Sequence, residues 1–270
     1  MSKIAVLSDI HSNGEALSVV LDKCRSLGVD EYISLGDIIG YNADPKYCVQ
    51  AVREIGFKAM VRGNHDDYLK NFDLLSESGF NPVAKAAIEW TRTQLDEDEI
   101  DWVYRAPFRA QLPGMTLVHA TLDTPENWGY IFDAHHAVDN FSYQFTQLCF
   151  CGHSHVPVAF CRGPVVMSNG RVIDVIDAWT HNAKRPEADT DFSISDALPV
   201  EYKPGHKYLF NIGSIGQPRN GDPRASFAVI DTDNHIVTRY RMPYDIAAMQ
   251  ARNIAAGLPE RLARRLELGN

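Results

Sequence analysis

Short clusters of metal-binding side chains interrupt this chain at five places, and each follows an apolar run that reads as a β-strand. Asp9-Ile10-His11 follows the run from Lys3 to Ser8, Gly36-Asp37 follows Tyr32 to Leu35, and Gly63-Asn64-His65-Asp66 follows Phe57 to Val61. His119 follows Thr116 to Val118, and Gly152-His153-Ser154-His155 follows Leu148 to Cys151. Ligand sites in open α/β sheets collect at the C-terminal ends of strands, where loops converge and the strands hold them rigid. The pattern therefore predicts one site assembled from five loops.

Taken singly, the clusters say little. Asp-x-His is common, Gly-Asp is usually a turn, and a lone His119 is more often an ordinary buried histidine. Gly-His-Ser-His is sharper, because its glycine permits close approach to an ion. Their joint occurrence in order at five strand ends leaves little room for coincidence. An Asp and a His two residues apart can bend over one ion, and Asp37 offers a carboxylate able to bridge two. Oxygen and imidazole donors suit manganese, iron, zinc, nickel or cobalt better than copper(I) or calcium.

The 270 residues, 45% of them hydrophobic, can bury the core of one domain spanning 1–270. Its first third alternates strands with helices at Gly14 to Leu27 and Ala43 to Ile55, a βαβ reading. Helices are expected again from Asn81-Pro82 to Leu95 and from Glu97 to Tyr104, the latter opened by an Asp96/Glu99 capping arrangement. Late strands are expected at Lys207 to Asn211, Ser226 to Asp231 and His235 to Arg241. A β-rich or irregular insertion is expected around 162–206, where Gly and Pro breakers accumulate, and a helical tail around 245–268, interrupted at Gly257-Leu258-Pro259.

With 35 acidic against 26 basic residues and a formal charge of −9, a nucleic-acid duplex is an unexpected partner. No stretch is long and apolar enough to span a bilayer. The five cysteines are odd in number and lack zinc-finger spacing, which suggests reduced thiols and a cytoplasmic location. Cys149 and Cys151 alternate along a strand and read as packing.

The ordered set D-x-H, G-D-x-x-G, G-N-H-D, H and G-H-x-H resembles the calcineurin-like metallophosphoesterase family. Asp-Ile-His-Ser-Asn, Gly-Asp-Ile-Ile-Gly-Tyr-Asn-Ala-Asp-Pro and Gly-Gln-Pro-Arg-Asn-Gly-Asp-Pro-Arg further resemble a group of small bacterial phosphoesterases related to dinucleoside tetraphosphatases. The resemblance implies an α/β fold, a four-layer sandwich of two facing mixed β-sheets flanked by helices. It implies two transition-metal ions, manganese or iron favoured, the first held by Asp9, His11, Asp37 and His155 and the second by Asp37, Asn64, His119 and His153. Two such ions, roughly 3.5–4 Å apart, activate water and clamp phosphate oxygens for in-line displacement.

By the same resemblance His65 binds no metal and acts as a protonated imidazole on the leaving group, with Asp66 orienting it or favouring its charge. Asn13, Tyr41 and Asn42 are candidate substrate contacts, although Asn13 also suits a helix N-cap. Trp128 is a softer candidate for stacking on a base, and Arg62 suits a structural salt bridge. The glycine-rich turn Asn211 to Arg219 resembles a segment that lies near the active site. Protein phosphatases and symmetrical tetraphosphatases carry an arginine shortly after Gly-Asp, where this chain has Gly40-Tyr41-Asn42, so a phosphoprotein substrate is disfavoured. The expected activity is hydrolysis of a small, nucleotide-like phosphate ester or anhydride, with diadenosine tetraphosphate as first candidate. Alternatives are a broad-specificity or cyclic-nucleotide phosphodiesterase and, further off, a non-catalytic scaffold of the same fold.

Overall fold

The computed structural model describes residues 2–73, 75, 80–163, 174–175 and 196–270. Strands β1 (Lys3–Leu7), β2 (Glu31–Ser34) and β3 (Phe57–Met60) pair in parallel through helices α1 (Gly14–Ser26) and α2 (Pro45–Ile55). Parallel pairing follows from these crossovers, since each helix returns the chain to the starting edge. Consequently the loops after β1, β2 and β3, with Asp9, Asp37 and Asn64, leave the sheet at one edge.

Two further hairpin-forming strands, β11 (Ala225–Asp231) and β12 (Ile236–Met242), join this first sheet antiparallel, with β11 beside β1. With β9 (Asp196–Glu201) at the far edge, its order is β3-β2-β1-β11-β12-β9. The second sheet contains β4 (Arg109–Leu112), β5 (Met115–Val118), β6 (Leu148–Cys151), β7 (Val158–Arg162), β8 (Asp174–Val175) and β10 (Lys207–Asn211). They run in the order β4-β5-β6-β10-β7-β8, and the parallel trio β5, β6 and β10 carries His119, the Gly152 loop and the Asn211 turn off one end.

Strand periodicity builds the layers. Along β1, Ile4 and Val6 enter the cluster between the sheets with Phe150, Phe210 and Ile230, while Ala5 and Leu7 join the opposite cluster under α1 and α2. Phe150 and Phe210 stack with centroids 5.5 Å apart, worth about 0.5–1.5 kcal/mol beyond the area they bury. On the outer face of the second sheet, Cys149, Cys151 and Leu209 pack with Ala137 and Phe141 of α6 (Ala134–Tyr143). The result is two mixed sheets flanked by helices, as expected. All five cysteines are free thiols, and burial pushes Cys149 up to about 12.

Helix ends follow local signals. Asn81 caps α4 (Pro82–Gln94), and Asp96 with Glu99 forms the reciprocal capping box that starts α5 (Glu97–Tyr104). The tail holds α7 (Ile246–Ala255) and α8 (Glu260–Leu268), separated at Gly257. One element departs from the sequence reading: Gly63-Asn64-His65-Asp66 begins a short helix, α3 (Asn64–Tyr68), rather than remaining a loop. Strands β4 and β7 and helix α6 also lack a counterpart in that reading, while β9 falls within the expected β-rich segment. The expected insertion at 162–206 lies mostly outside the described residues. No described helix is long and apolar enough to cross a membrane.

Candidate metal centre

The five loops meet between the C-terminal ends of the two sheets. Asp9, His11, Asp37 and His155 each direct one ligating atom to a common point, all within 4.8 Å of one another, and Asp37, His119 and His153 form a second group. Asn64 joins the second group through Oδ1, 3.3 Å from His119 Nε2. Asp37 belongs to both. The structure thus brings together all seven side chains singled out as ligands, with Asp37 Oδ2 lying 3.5 Å from His11 Nε2 and 3.4 Å from His119 Nε2.

Chemistry of the donor set indicates a cation. His11 Nδ1 lies 3.0 Å from the Ile39 carbonyl, His119 Nδ1 2.7 Å from that of Leu35, and His155 Nδ1 2.5 Å from that of Gln217. A carbonyl only accepts, so each Nδ1 carries the proton and, in the neutral ring, Nε2 turns a lone pair inward. The two facing atoms His11 Nε2 and His155 Nε2 are 3.1 Å apart, and buried His153 Nε2 has no hydrogen-bond partner. Converging lone pairs beside two carboxylates repel unless a positive ion sits among them. The residues present fit a pair of transition-metal ions.

Ionisation points the same way. Burial by itself would raise both carboxyls, but His155 holds Asp9, and His119, His65 and His11 hold Asp37, well below the usual carboxylate range. Burial pushes His153 down to about 3 and His11 well below its ordinary value. Against the same burial, the Asp37 carboxylate keeps His119 up at about 9, so that a proton on Nε2, which a metal ion would displace, faces Asp37.

Strained backbone presents these groups. Asp9, His11, Ser12, Asp37, Tyr41, His153 and His155 all have φ between 48° and 65°, a left-handed conformation costing roughly 1–3 kcal/mol at each non-glycine residue. Backbone bonds across the loops sustain it: Asp9 N to Gly36 O at 3.0 Å, His11 N to Asp37 O at 3.0 Å, and Gly216 N to Asp9 O at 2.9 Å. Two motif glycines are required by space. A Cβ on Gly63 would lie 2.1 Å from Asp37 Oδ1, and one on Gly152 would lie 2.3 Å from Asp9 Oδ2.

Other expectations need correction. Asp66 does not orient His65: its carboxylate accepts the N–H groups of Asp37 at 2.7 Å, Ile38 at 3.0 Å and Gly63 at 3.1 Å. It therefore shapes the loop that presents Asp37, and burial beside that carboxylate raises it to about 7. His65 does not carry a standing charge here, because burial pushes it down to about 4. Asn13 spends its amide on the cap of α1, accepting from Ala16 N and donating to Gly216 O. Asn42 spends its own on His11 O and Asn253. Neither lines the cavity, so both are scaffold rather than substrate contacts. Trp128 packs edge-on against His119 and beside Phe108, also away from the cavity lining. Tyr41 does line it, yet its ring is only 7% exposed between His11 and His65, which leaves no face for a base. Arg62 is structural, 3.4 Å from Asp67 and over the Tyr104 ring.

The cavity above the cluster holds about 690 Å³ and is lined by Asp37, Asn64, His65, His153 and His155. Sequence reasoning missed other walls: Tyr130, stacked between His153 and Phe132, and Arg261 and Arg265 of α8. The i, i+4 spacing of the two arginines was a readable signal that they share a helix face. The Asn211 turn lies against the centre, with Asn211 Nδ2 donating to Gly152 O at 2.6 Å and Ser154 Oγ at 2.9 Å, and Ser214 Oγ donating to Asp9 O at 2.8 Å.

A family model described as a calcineurin-like phosphoesterase superfamily domain matches residues 2–178. Over 273 residues the chain is 32% identical to an uncharacterized protein of Methanocaldococcus jannaschii, covering 99% of this chain and 98% of that one. It is similar to the crystal structure of a metallophosphoesterase from Sphaerobacter thermophilus, with TM-score 0.78, 34% identity, and coverage of 99% of this chain and 100% of that one. A hypothetical protein from Pyrococcus horikoshii OT3 shares the fold, with TM-score 0.74 at 17% identity, over 100% of this chain and 99% of that one.

Asn211 tests how much the supporting turn matters. Asn211→Ala removes both tethers of the Gly152 loop and leaves every candidate ligand in place, so metal affinity is expected to fall about 10- to 100-fold. Competition titration against a chelating dye measures it; wild-type affinity in the variant would show that these tethers do not position the histidines.

Proposed function

Because the chain belongs to the calcineurin-like phosphoesterase superfamily and hydrolyses phosphate esters accordingly, we propose that its buried Asp/His cluster is a two-metal centre. Asp9, His11, Asp37 and His155 hold the first ion, and Asp37, Asn64, His119 and His153 the second. One observation carries this reading: seven side chains from five loops fall into two groups that share a single carboxylate, Asp37. Manganese or iron is favoured by the mixture of carboxylate, amide and imidazole donors. When bound, such a pair supplies Lewis-acid charge for phosphate oxygens and a lowered pKa for water.

The chain's own residues do the rest. Asp9 and Asp37 stay ionised within the protein and balance the cationic charge. The Nδ1 bonds to Ile39, Leu35 and Gln217 fix three imidazoles so that no reorientation is needed during turnover. His65 lines the cavity beside Asn64, holding its ring 4.4 Å from Tyr41 and 4.7 Å from His11. Uncommitted to a ligand role and neutral in the free site, it donates a proton to the departing oxygen once the anionic phosphate beside it favours its charged form. Diadenosine tetraphosphate is our first candidate substrate, cleaved symmetrically to two ADP molecules. A cytoplasmic setting goes with it, supported by the free thiols.

Three outcomes test the reading. Metal-loaded protein is expected to hold about two ions per chain by elemental analysis. Asp37→Ala should lose both and His155→Ala chiefly one; a wild type that never exceeds one ion overturns the two-metal centre. His65→Ala should lower kcat by about 10²–10⁴-fold on an alkyl phosphodiester, less on a nitrophenyl ester, and leave metal content intact. Equal losses on both substrates would instead mean that His65 steadies the phosphate. Chromatography of diadenosine tetraphosphate digests should show ADP alone. Survival of the tetraphosphate alongside rapid hydrolysis of simple diesters would replace this substrate with a broad phosphodiesterase activity.

A further inference from the structure

The cavity has an uneven distribution of charge. Beyond the ligand cluster it is lined by three guanidinium groups, Arg219 from the end of the glycine-rich turn and Arg261 and Arg265 from α8. Among the described residues none of the three pairs with a carboxylate side chain. Arginines nearby do: Arg264 with Glu260, and Arg252 with Glu15 and Asp44. In a chain with 35 acidic and 26 basic residues, three cations without a side-chain carboxylate partner around one cavity call for an anion.

Two of the three, Arg219 and Arg265, are held in place before any ligand arrives, and Arg261 stands exposed one turn before Arg265 on the anchored helix. Arg219 Nη2 donates to Tyr41 Oη and Gln217 Oε1, both at 3.0 Å, and its backbone N–H reaches His155 O at 3.3 Å. Arg265 Nε donates to Asn270 O. Helix α8 is anchored by Leu262, which packs with Tyr41, Ala84, Ala87 and Leu258. Its end is anchored by Gly269, whose carbonyl accepts Gly221 N at 2.8 Å and whose Cα leaves no room for a Cβ against the Asp222 backbone. Burial depresses Arg265, and Arg219 and Arg261 add to the depression by repulsion.

Building on the phosphoesterase reading of the same site, we propose that Arg219, Arg261 and Arg265 clamp a second anionic group of the substrate, at least one phosphate beyond the scissile phosphorus. Guanidinium forks match phosphate oxygens in pairs, which an isolated ammonium does not. The arginines line the same cavity as Asp37, Asn64, His153 and His155, so a phosphate chain has charge to place on them, whereas a simple diester has none beyond the scissile group. Selection for phosphoanhydride-bearing nucleotides therefore comes from the C-terminal helix and the Arg219 turn rather than from the loops that hold metal.

Isothermal titration calorimetry of the full-length, metal-loaded protein tests this with two probes, AMP and the non-hydrolysable α,β-methylene analogue of ADP. Wild type should bind the diphosphate analogue at least about 10-fold more tightly than AMP. In Arg261→Gln/Arg265→Gln that preference should collapse to within about twofold of unity, and Arg261→Lys/Arg265→Lys should recover it in part by restoring charge without the fork. Should the double variant fail to fold by circular dichroism, Arg261→Gln alone, at an exposed side chain, is expected to lower the preference about threefold or more. Absence of a preference in wild type, or its full persistence in the folded variants, overturns the clamp. A wild type that hydrolyses no phosphoester overturns the reading of the site instead, and the calorimetric ratio still decides the clamp.

Discussion

Two ionised carboxylates, Asp9 and Asp37, are buried among imidazoles whose inward nitrogens point at the same small volume. Burying such groups is costly unless the charges are matched, and the lone pairs facing each other at 3.1 Å cannot satisfy one another. Much of the surrounding architecture resists the resulting tendency to spread. Carbonyls of Ile39, Leu35 and Gln217 hold three rings from behind, Asp66 gathers the N–H groups of the Asp37 loop, and strand-end backbones adopt left-handed turns. Stability has been conceded locally for a cluster whose balance requires a cation.

The two sheets contribute differently to that cluster. From the first come the residues at the heart of it, Asp9, His11, Asp37 and Asn64; from the second come His119, His153 and His155. Neither sheet alone assembles either group, so packing between the sheets through Ile4, Val6, Phe150 and Phe210 is a condition for the chemistry. The contact is close enough that Gly152 of one sheet's loop and Asp9 of the other's leave no space for a methyl group. The cavity's arginines come from later, peripheral elements, with Arg219 on a turn and Arg261 and Arg265 on the terminal helix. The candidate ligands and the cavity's guanidinium groups therefore sit on separate parts of the chain.

Local chemistry explains what could be read in advance. Strands β1, β6 and β10, helix α1 and the capping box of α5 are written in short-range patterns, namely apolar runs, 3.6-residue spacing and the Asp96/Glu99 pair. Helix α3 was obscured because its first residues, Asn64, His65 and Asp66, are polar and are buried only where other loops close over them. The roles of Asn13, Asn42 and Asp66 were misread for a related reason. A polar side chain beside a ligand motif looks free for substrate in sequence, but here each is consumed by backbone groups up to 203 positions away.

By itself the sequence determined the residue types able to bind metal, their order, and their placement after strands, because side-chain donors and strand periodicity are local properties. Only the tertiary structure decided which donors share a point, that Asp37 stands in both groups, and that Asp66 faces backbone instead of His65. It also brought α8 to the cavity, a relation across more than 200 residues between Tyr41 and Leu262 that no local pattern encodes. The physical reason is that convergence depends on how sheets and loops pack: lone pairs, charges and empty space acquire meaning only from what lies opposite them.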